Sequence, residues 1–216
     1  MPIATKSVVI VDDHDIVRFG LQLLLESLPE YKVLACVPDL QSALTAISHI
    51  QPDMVIADMS LGDSRGLDTV RAVVAVQAPR PVLVLSMHDE LLYAEQALSQ
   101  GAQGYLMKEK AQELLLQVVR NLLLGERWVS PRVSAQLLHR IVMAAPRRHA
   151  DAGRAHPLSL RELEVLEKIG RGRTTKEIAY ALNLSPRTVD LHRASIKKKL
   201  GFRSGAEVVA YAVARL

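Results

Sequence analysis

Five short apolar runs, Val8–Val11, Val33–Val37, Met54–Ala57, Val82–Leu85 and Tyr105–Met107, alternate with amphipathic stretches such as IVRFGLQLLLESL and LQSALTAISHI. A run that is apolar on both of its faces must be covered on both, which is the condition of a strand inside a parallel sheet flanked by helices. The alternation predicts an α/β doubly wound domain of five strands and five helices over the first 125 residues. In such folds the working site lies beyond the carboxyl ends of the strands.

That rule organises the polar residues. Asp12 and Asp13 follow the first run, Asp58 the third, Ser86 the fourth and Lys108 the fifth, so all five fall on one rim. A single Asp there usually reads as a turn former or a helix cap, and a lone Ser or Lys carries no meaning. Together they describe chemistry. Neighbouring carboxylates repel and resist losing water, so the VVIVDDHD stretch makes sense if a cation sits among them. A hard ion such as Mg²⁺ takes one or two carboxylates and keeps some of its water. A carboxylate is also a nucleophile toward phosphorus, giving an aspartyl-phosphate, and charge on the transferred oxygens calls for cationic and hydroxyl partners. Lys108 and Ser86 are of those types.

The net charge of +4 conceals an asymmetry. Residues 1–145 hold 12 Lys and Arg against 16 Asp and Glu, whereas residues 146–216 hold 15 against 7. An acidic first part joined to a basic second part suggests that the second faces a polyanion. The single cysteine, Cys36 in VLACV, cannot close an internal disulfide and reads as a small buried hydrophobe. The N-terminus does not read as a signal peptide, and no window reaches the roughly 18 apolar residues of a membrane span, so the expectation is a cytoplasmic protein without membrane contact.

After Gly125, SPRVSAQLLHRIVMAA predicts a further helix with Ser130 as cap and Pro131 in its first turn. PRRHADAGRAHP breaks all periodicity and reads as a tether. The expected division is therefore 1–125, a linker helix and tether over 126–157, and a second domain over 158–216. In the second domain Ser159-Leu160-Arg161-Glu162 and Thr174-Thr175-Lys176-Glu177 have capping-box spacing, and Ser185-Pro186 starts a third helix that runs to Gly201. Two helices joined by a short turn, the second basic, form the pattern of a helix-turn-helix. Val189, His192, Ile196 and Leu200 make one stripe for the interior, and His192 reads as a packed residue. The opposite side carries Arg187, Asp190, Leu191, Arg193, Ala194, Lys197 and Lys198. Ser204 is the cap candidate of a last helix with an apolar face including Val208, Val209, Ala212 and Val213.

VVIVDDH, IADMSLGDSRG, VLVLSMHD and GAQGYLMK resemble the receiver domain of two-component response regulators, whose sheet is flavodoxin-like. The resemblance implies that Asp58 is the phosphoacceptor and that Asp12, Asp13, Asp58 and the Ser60 carbonyl hold Mg²⁺. It also implies that Ser86 and Lys108 contact the phosphoryl group, and that Tyr105 is a switch ring moving inward as Ser86 closes. Two departures are Gly62, where a proline is common, and Met87, where a small residue is usual. LSLRELEVLEKI, TTKEIAYALNLSPRTVDLH and IKKKLG resemble the LuxR-type DNA-binding domain, and the two together resemble the NarL/FixJ class.

The expected DNA-contacting set is Thr175, Lys176, Arg187, Thr188, Asp190, Leu191, Arg193, Ala194, Lys197 and Lys198, and the resemblance implies that Asp190, Leu191 and Ala194 face bases. Lysine is common at the position of Asp190. The acid either accepts from cytosine N4 or pairs locally with Arg187 or Arg193. The implied function is a phosphorylation-dependent transcriptional regulator rather than an enzyme. Its implied partners are a sensor histidine kinase, double-stranded promoter DNA, a second copy of itself and RNA polymerase. Two other readings are a constitutive DNA-binding regulator with a silent receiver and a Mg²⁺-dependent phosphatase using an aspartyl nucleophile.

Overall fold

A computed structural model describes residues 5–62, 64, 66–143 and 158–214. The expected tether, PRRHADAGRAHP, and Asp63 lie outside the described residues. The chain divides into two compact units, Met1–Glu90 with Ala94–Ser134, and Leu91–Tyr93 with Ala135–Leu216.

The first unit is built on five strands, β1 Lys6–Val11, β2 Tyr31–Val37, β3 Met54–Asp58, β4 Val82–Ser86 and β5 Gly104–Met107. All neighbours pair in parallel in the order β2-β1-β3-β4-β5. Five helices connect and cover them: α1 Asp15–Glu26, α2 Leu40–Ile50, α3 Leu67–Gln77, α4 Glu90–Ser99 and α5 Ala111–Leu123. Strand residues alternate between two cores, as a period of two requires. Val8, Ile10, Met54, Ile56, Leu83 and Leu85 pack with Leu21 and Leu25 of α1 and Leu115, Val118 and Leu122 of α5. Val9, Val11, Val55, Ala57 and Val82 pack on the other face with Ala43 and Ile47 of α2 and Val73 of α3. Because β3 and β4 are buried along their whole length, no solvent-facing alternation survives in them, which is why they read as continuous apolar runs. The order reverses between β1 and β3, so their carboxyl ends border the crevice where such folds bind ligands.

Beyond α5, Trp128 bridges to Gly104: its amide donates to the Gln103 carbonyl, and its own carbonyl accepts from the Tyr105 amide at 3.2 Å. The outer edge of β5 is thereby partly covered by the chain itself, which removes unpaired backbone groups from an exposed edge. The next helix, α6 Pro131–Met143, starts where the sequence places it, with Ser130 Oγ accepting from the Val133 amide.

The second unit contains α7 Leu160–Gly170, α8 Thr175–Ala181, α9 Pro186–Lys199 and α10 Gly205–Val213. Both capping boxes form: Ser159 and Glu162, and Thr174 and Glu177, exchange side-chain and backbone bonds. Such caps satisfy amides that the first helical turn leaves without partners, each worth about 1 kcal/mol. Ser185 caps α9 with Pro186 in its first turn, Gly201 ends it at φ +70°, and Ser204 caps α10. Leu163, Leu166, Ile169, Ile178, Val189, Ile196, Val208 and Ala212 fill the small core. The stripe on α9 is deepest at Val189 and Ile196, while His192 and Leu200 are half-buried at its margin. On α10 the apolar face divides, with Val208 and Ala212 inside and Val209 and Val213 exposed.

Candidate functional site

The carboxyl ends of β1, β3 and β5 bring Asp12, Asp58 and Lys108 together. The Lys108 ammonium lies 2.6 Å from Asp12 Oδ2 and 2.7 Å from Asp58 Oδ2, and all three groups are nearly removed from solvent. Burial pushes the Asp58 carboxyl above its ordinary value; the bonds from Lys108 and the Ser60 amide oppose this, and the Asp12 charge adds to it. Burial would lower the Lys108 ammonium, but its bonds to Asp12 and Asp58 outweigh that and hold it above its ordinary value. A buried cation shared by two buried carboxylates is tolerable only because each partner is satisfied.

Around this centre three further carboxylate oxygens have defined neighbours. Asp58 Oδ1 accepts from the Ser60 amide at 3.0 Å, and Asp12 Oδ1 from the His14 amide at 2.9 Å. Asp13 is more exposed, and its Oδ1 lies 2.6 Å from His14 Nδ1. Ligand atoms of Asp12, Asp13, His14 and Asp58 all fall within 4.8 Å of one another. Three carboxylates at that spacing form a hard oxygen donor set of the kind Mg²⁺ takes. A Cβ placed on Gly62 would meet only Asp13 Oδ2, at 4.0 Å, so the backbone there approaches the acids without crowding them.

Ser86, fully buried, accepts through Oγ from the His88 amide at 3.1 Å. Tyr105 is buried rather than half-exposed as an edge-strand tyrosine would be, and its hydroxyl donates to the His88 carbonyl at 2.9 Å. Met87 stands exposed beside them. Two histidines to which the sequence reading assigned no role thus lie in the site: His14 against Asp12 and Asp13, and His88 against Ser60, Ser86 and Tyr105. The only sequence signal was their place, one and two residues beyond strand-end polar groups in VDDHD and LSMHD.

On the helical unit Arg187, Asp190, Leu191, Ala194, Lys176 and Lys198 are exposed, while Thr175, Thr188, Arg193 and Lys197 are half-buried. Leu191 is 65% exposed, and it shares α9 with Arg187, Arg193, Lys197 and Lys198. The Asp190 carboxylate lies 3.5 Å from the Thr175 hydroxyl, which links α8 to α9. Glu162 of α7 is buried and receives Ser195 Oγ at 2.6 Å and Lys199 Nζ at 2.7 Å, so it holds α9 as well as its own cap. The last lysine of KKK is therefore spent on structure, and Lys197 and Lys198 remain beside it.

Residues 8–120 match the response regulator receiver domain, and residues 156–212 match the bacterial regulatory proteins of the luxR family. The oxygen regulatory protein NreC of Staphylococcus carnosus is 33% identical over 95% of this chain and 96% of its own length. The transcriptional regulatory protein UhpA of Salmonella typhimurium is 34% identical over 94% and 95%. Among solved structures, RcsB from Salmonella enterica serovar Typhimurium, bound to promoter P1flhDC in the presence of phosphomimetic BeF3-, is 26% identical with a TM-score of 0.61, covering 97% of this chain and 99% of that one. A two-component response regulator of the LuxR family from Aurantimonas sp. is 30% identical with a TM-score of 0.59, over 64% and 99%. With both halves matched and the relatives spanned nearly end to end, the chain belongs to the NarL/FixJ class of two-component response regulators, a receiver domain followed by a LuxR-type DNA-binding domain.

Proposed function

We propose that this protein accepts a phosphoryl group on Asp58 from a sensor histidine kinase and that this event controls its binding, as a homodimer, to double-stranded promoter DNA. The observation that carries the reading is the Lys108 ammonium held between Asp12 and Asp58 at the strand ends. In the transfer an Asp58 carboxylate oxygen attacks phosphorus, a P–O bond forms as the P–N bond of phosphohistidine breaks, and the leaving imidazole keeps the electron pair. Lys108 neutralises charge on the new phosphoryl group, and Ser86 supplies a hydroxyl to one of its oxygens. Asp12, Asp13, Asp58 and the Ser60 carbonyl would hold Mg²⁺. When bound, the ion supplies further neutralisation of the phosphoryl oxygens. The protein is consumed as a stoichiometric acceptor and is not an enzyme in this reading.

Tyr105 and Ser86 both lean on the His88 backbone, so a change at Asp58 that draws Ser86 also moves the support of the Tyr105 ring. The working division is 1–125 for the receiver, 126–157 for the linker helix and tether, and 158–216 for the DNA-binding domain. On DNA, Arg187, Arg193, Lys176, Lys197 and Lys198 would meet phosphates, with Thr175 and Thr188 beside them, and Asp190, Leu191 and Ala194 would face base edges. A tether that keeps two DNA-binding units near one two-fold site raises their effective concentration once the receivers pair. Such a regulator works in the cytoplasm and meets RNA polymerase at its promoter.

The test is intact-mass measurement after incubation with Mg²⁺ and a small phosphodonor such as acetyl phosphate. A gain of one phosphoryl group in the natural chain, and none in Asp58→Asn, is expected; equal labelling of both would overturn the assignment. A second reading, constitutive DNA binding with a silent receiver, is favoured by the already buried position of Tyr105. It predicts the same DNA affinity for Asp58→Asn as for the natural chain, whatever the phosphodonor does.

A further inference from the structure

The side chain of His88, in the loop after β4, reaches across to the loop after β3. Ser60 lies two residues beyond Asp58, and His88 two residues beyond Ser86. Ser60 Oγ and His88 Nε2 are 3.1 Å apart, across the rim between β3 and β4. Three backbone bonds converge on the same pair. The Ser60 amide donates to Asp58 Oδ1, the His88 amide donates to Ser86 Oγ, and the His88 carbonyl accepts from the Tyr105 hydroxyl. These three use main-chain atoms that any residue at 60 or 88 would supply. The Ser60–His88 bond is the one link in the set that depends on both side chains.

We propose that His88 is a positioning residue: through its bond to Ser60 it holds the loop after β4 so that its own backbone keeps Ser86 and Tyr105 in place. The consequence for signalling rests on the reading of Asp58 as phosphoacceptor, because the same chain of bonds then connects the phosphorylated residue to the switch ring. The geometry itself does not need that reading. A side chain of imidazole length is needed to span the rim, and a methyl group falls short by several ångströms. Glutamine carries a polar nitrogen at about the distance of Nε2 from the backbone and is the conservative replacement. His88 is half-buried, so the bond is made at the edge of solvent, where its loss lets the loop move without opening a cavity in the core.

The test uses the full chain carrying 3-fluorotyrosine, with the Tyr105 fluorine resonance assigned by Tyr105→Phe and no phosphodonor present. His88→Ala and Ser60→Ala should each move that resonance in the same direction and lower the ratio of inward to outward ring by about fivefold, the worth of one ordinary hydrogen bond. The double variant should show no further change, because the two substitutions remove one bond, and His88→Gln should restore the natural position. An unmoved resonance in both single variants, or effects that simply add in the double, would overturn the proposal. Ser60→Ala serves as the second route if His88→Ala disturbs folding. Addition of Mg²⁺ and beryllofluoride to the natural chain separates the two claims: no response there counts against Asp58 as the controlling site and leaves the bridge standing or falling on the variants.

Discussion

The chain carries two concentrations of charge, one in each half, and they are built on opposite terms. At the strand ends Asp12, Asp58 and Lys108 are buried and held at 2.6 to 2.7 Å, each charge answered by another. On α9, Arg187 and Lys198 stand in solvent, and the half-buried Arg193 and Lys197 lie between them on the same helix. A buried, mutually satisfied cluster favours one geometry and responds sharply when a single charge changes. An exposed row of cations is cheap to maintain, tolerant of geometry and sensitive to salt. The first arrangement suits a covalent switch and the second a polyanion. Glu162 shows that the division is one of environment rather than of domain, since it is a buried, fully paired carboxylate within the basic half.

The largest effect that would break this comparison is at Lys108. Lys108→Ala leaves two buried carboxylates facing each other and is expected to slow phosphoryl acceptance by about 100-fold, the scale of losing one preorganised charge partner. DNA affinity of the unphosphorylated chain should be unchanged; a parallel drop in both would mean that the variant is simply misfolded, which circular dichroism checks. Next in size, Glu162→Ala strands Lys199 and Ser195 and removes the carboxylate half of the α7 capping box, which should lower the stability of the helical unit by about 3 kcal/mol. Denaturant unfolding followed separately for the two halves should show the receiver transition unmoved.

On the exposed side, Lys197→Gln with Lys198→Gln should weaken binding to all DNA sequences alike. The slope of log affinity against log salt should become shallower by about 1 to 2, one for each phosphate that the protein no longer neutralises. An unchanged slope would show that neither lysine meets a phosphate. The smallest effect lies at Asp53, where burial raises the carboxyl but bonds from Ser7 and Lys6 outweigh it and bring it down to about 2. A carboxyl depressed by folding contributes stability that is present above its unfolded value and lost as pH falls through its folded one. After allowing for its partial exposure, roughly 1 kcal/mol should disappear between about pH 4 and pH 2, and Asp53→Asn should flatten that part of the acid unfolding curve.

How much of this was legible in the sequence follows from the range of the forces involved. Strand identity and the rim of polar residues were readable because a buried parallel strand leaves a continuous apolar run, and the residue that ends it is at the carboxyl end by construction. The caps at Ser159, Thr174, Ser185 and Ser204 were readable because they act within three residues. What escaped was the meeting of distant segments. Nothing near Ser60 announces a partner 28 residues away, and nothing near Trp128 announces that it will bridge to Gly104. The division of the α10 face escaped for a related reason: apolar periodicity marks Val208, Val209, Ala212 and Val213 alike, and only the packing of neighbouring helices decides that two of them stay outside.

The central claim is that the buried charge cluster governs the exposed one. The most direct measurement is DNA affinity of the full chain, with and without Mg²⁺ and beryllofluoride, on a fragment selected from a random duplex library by the protein itself. The account predicts at least about tenfold tighter binding with the mimic, roughly 1.4 kcal/mol, and no such gain in Asp58→Asn. Equal affinity of the natural chain in both conditions would contradict it.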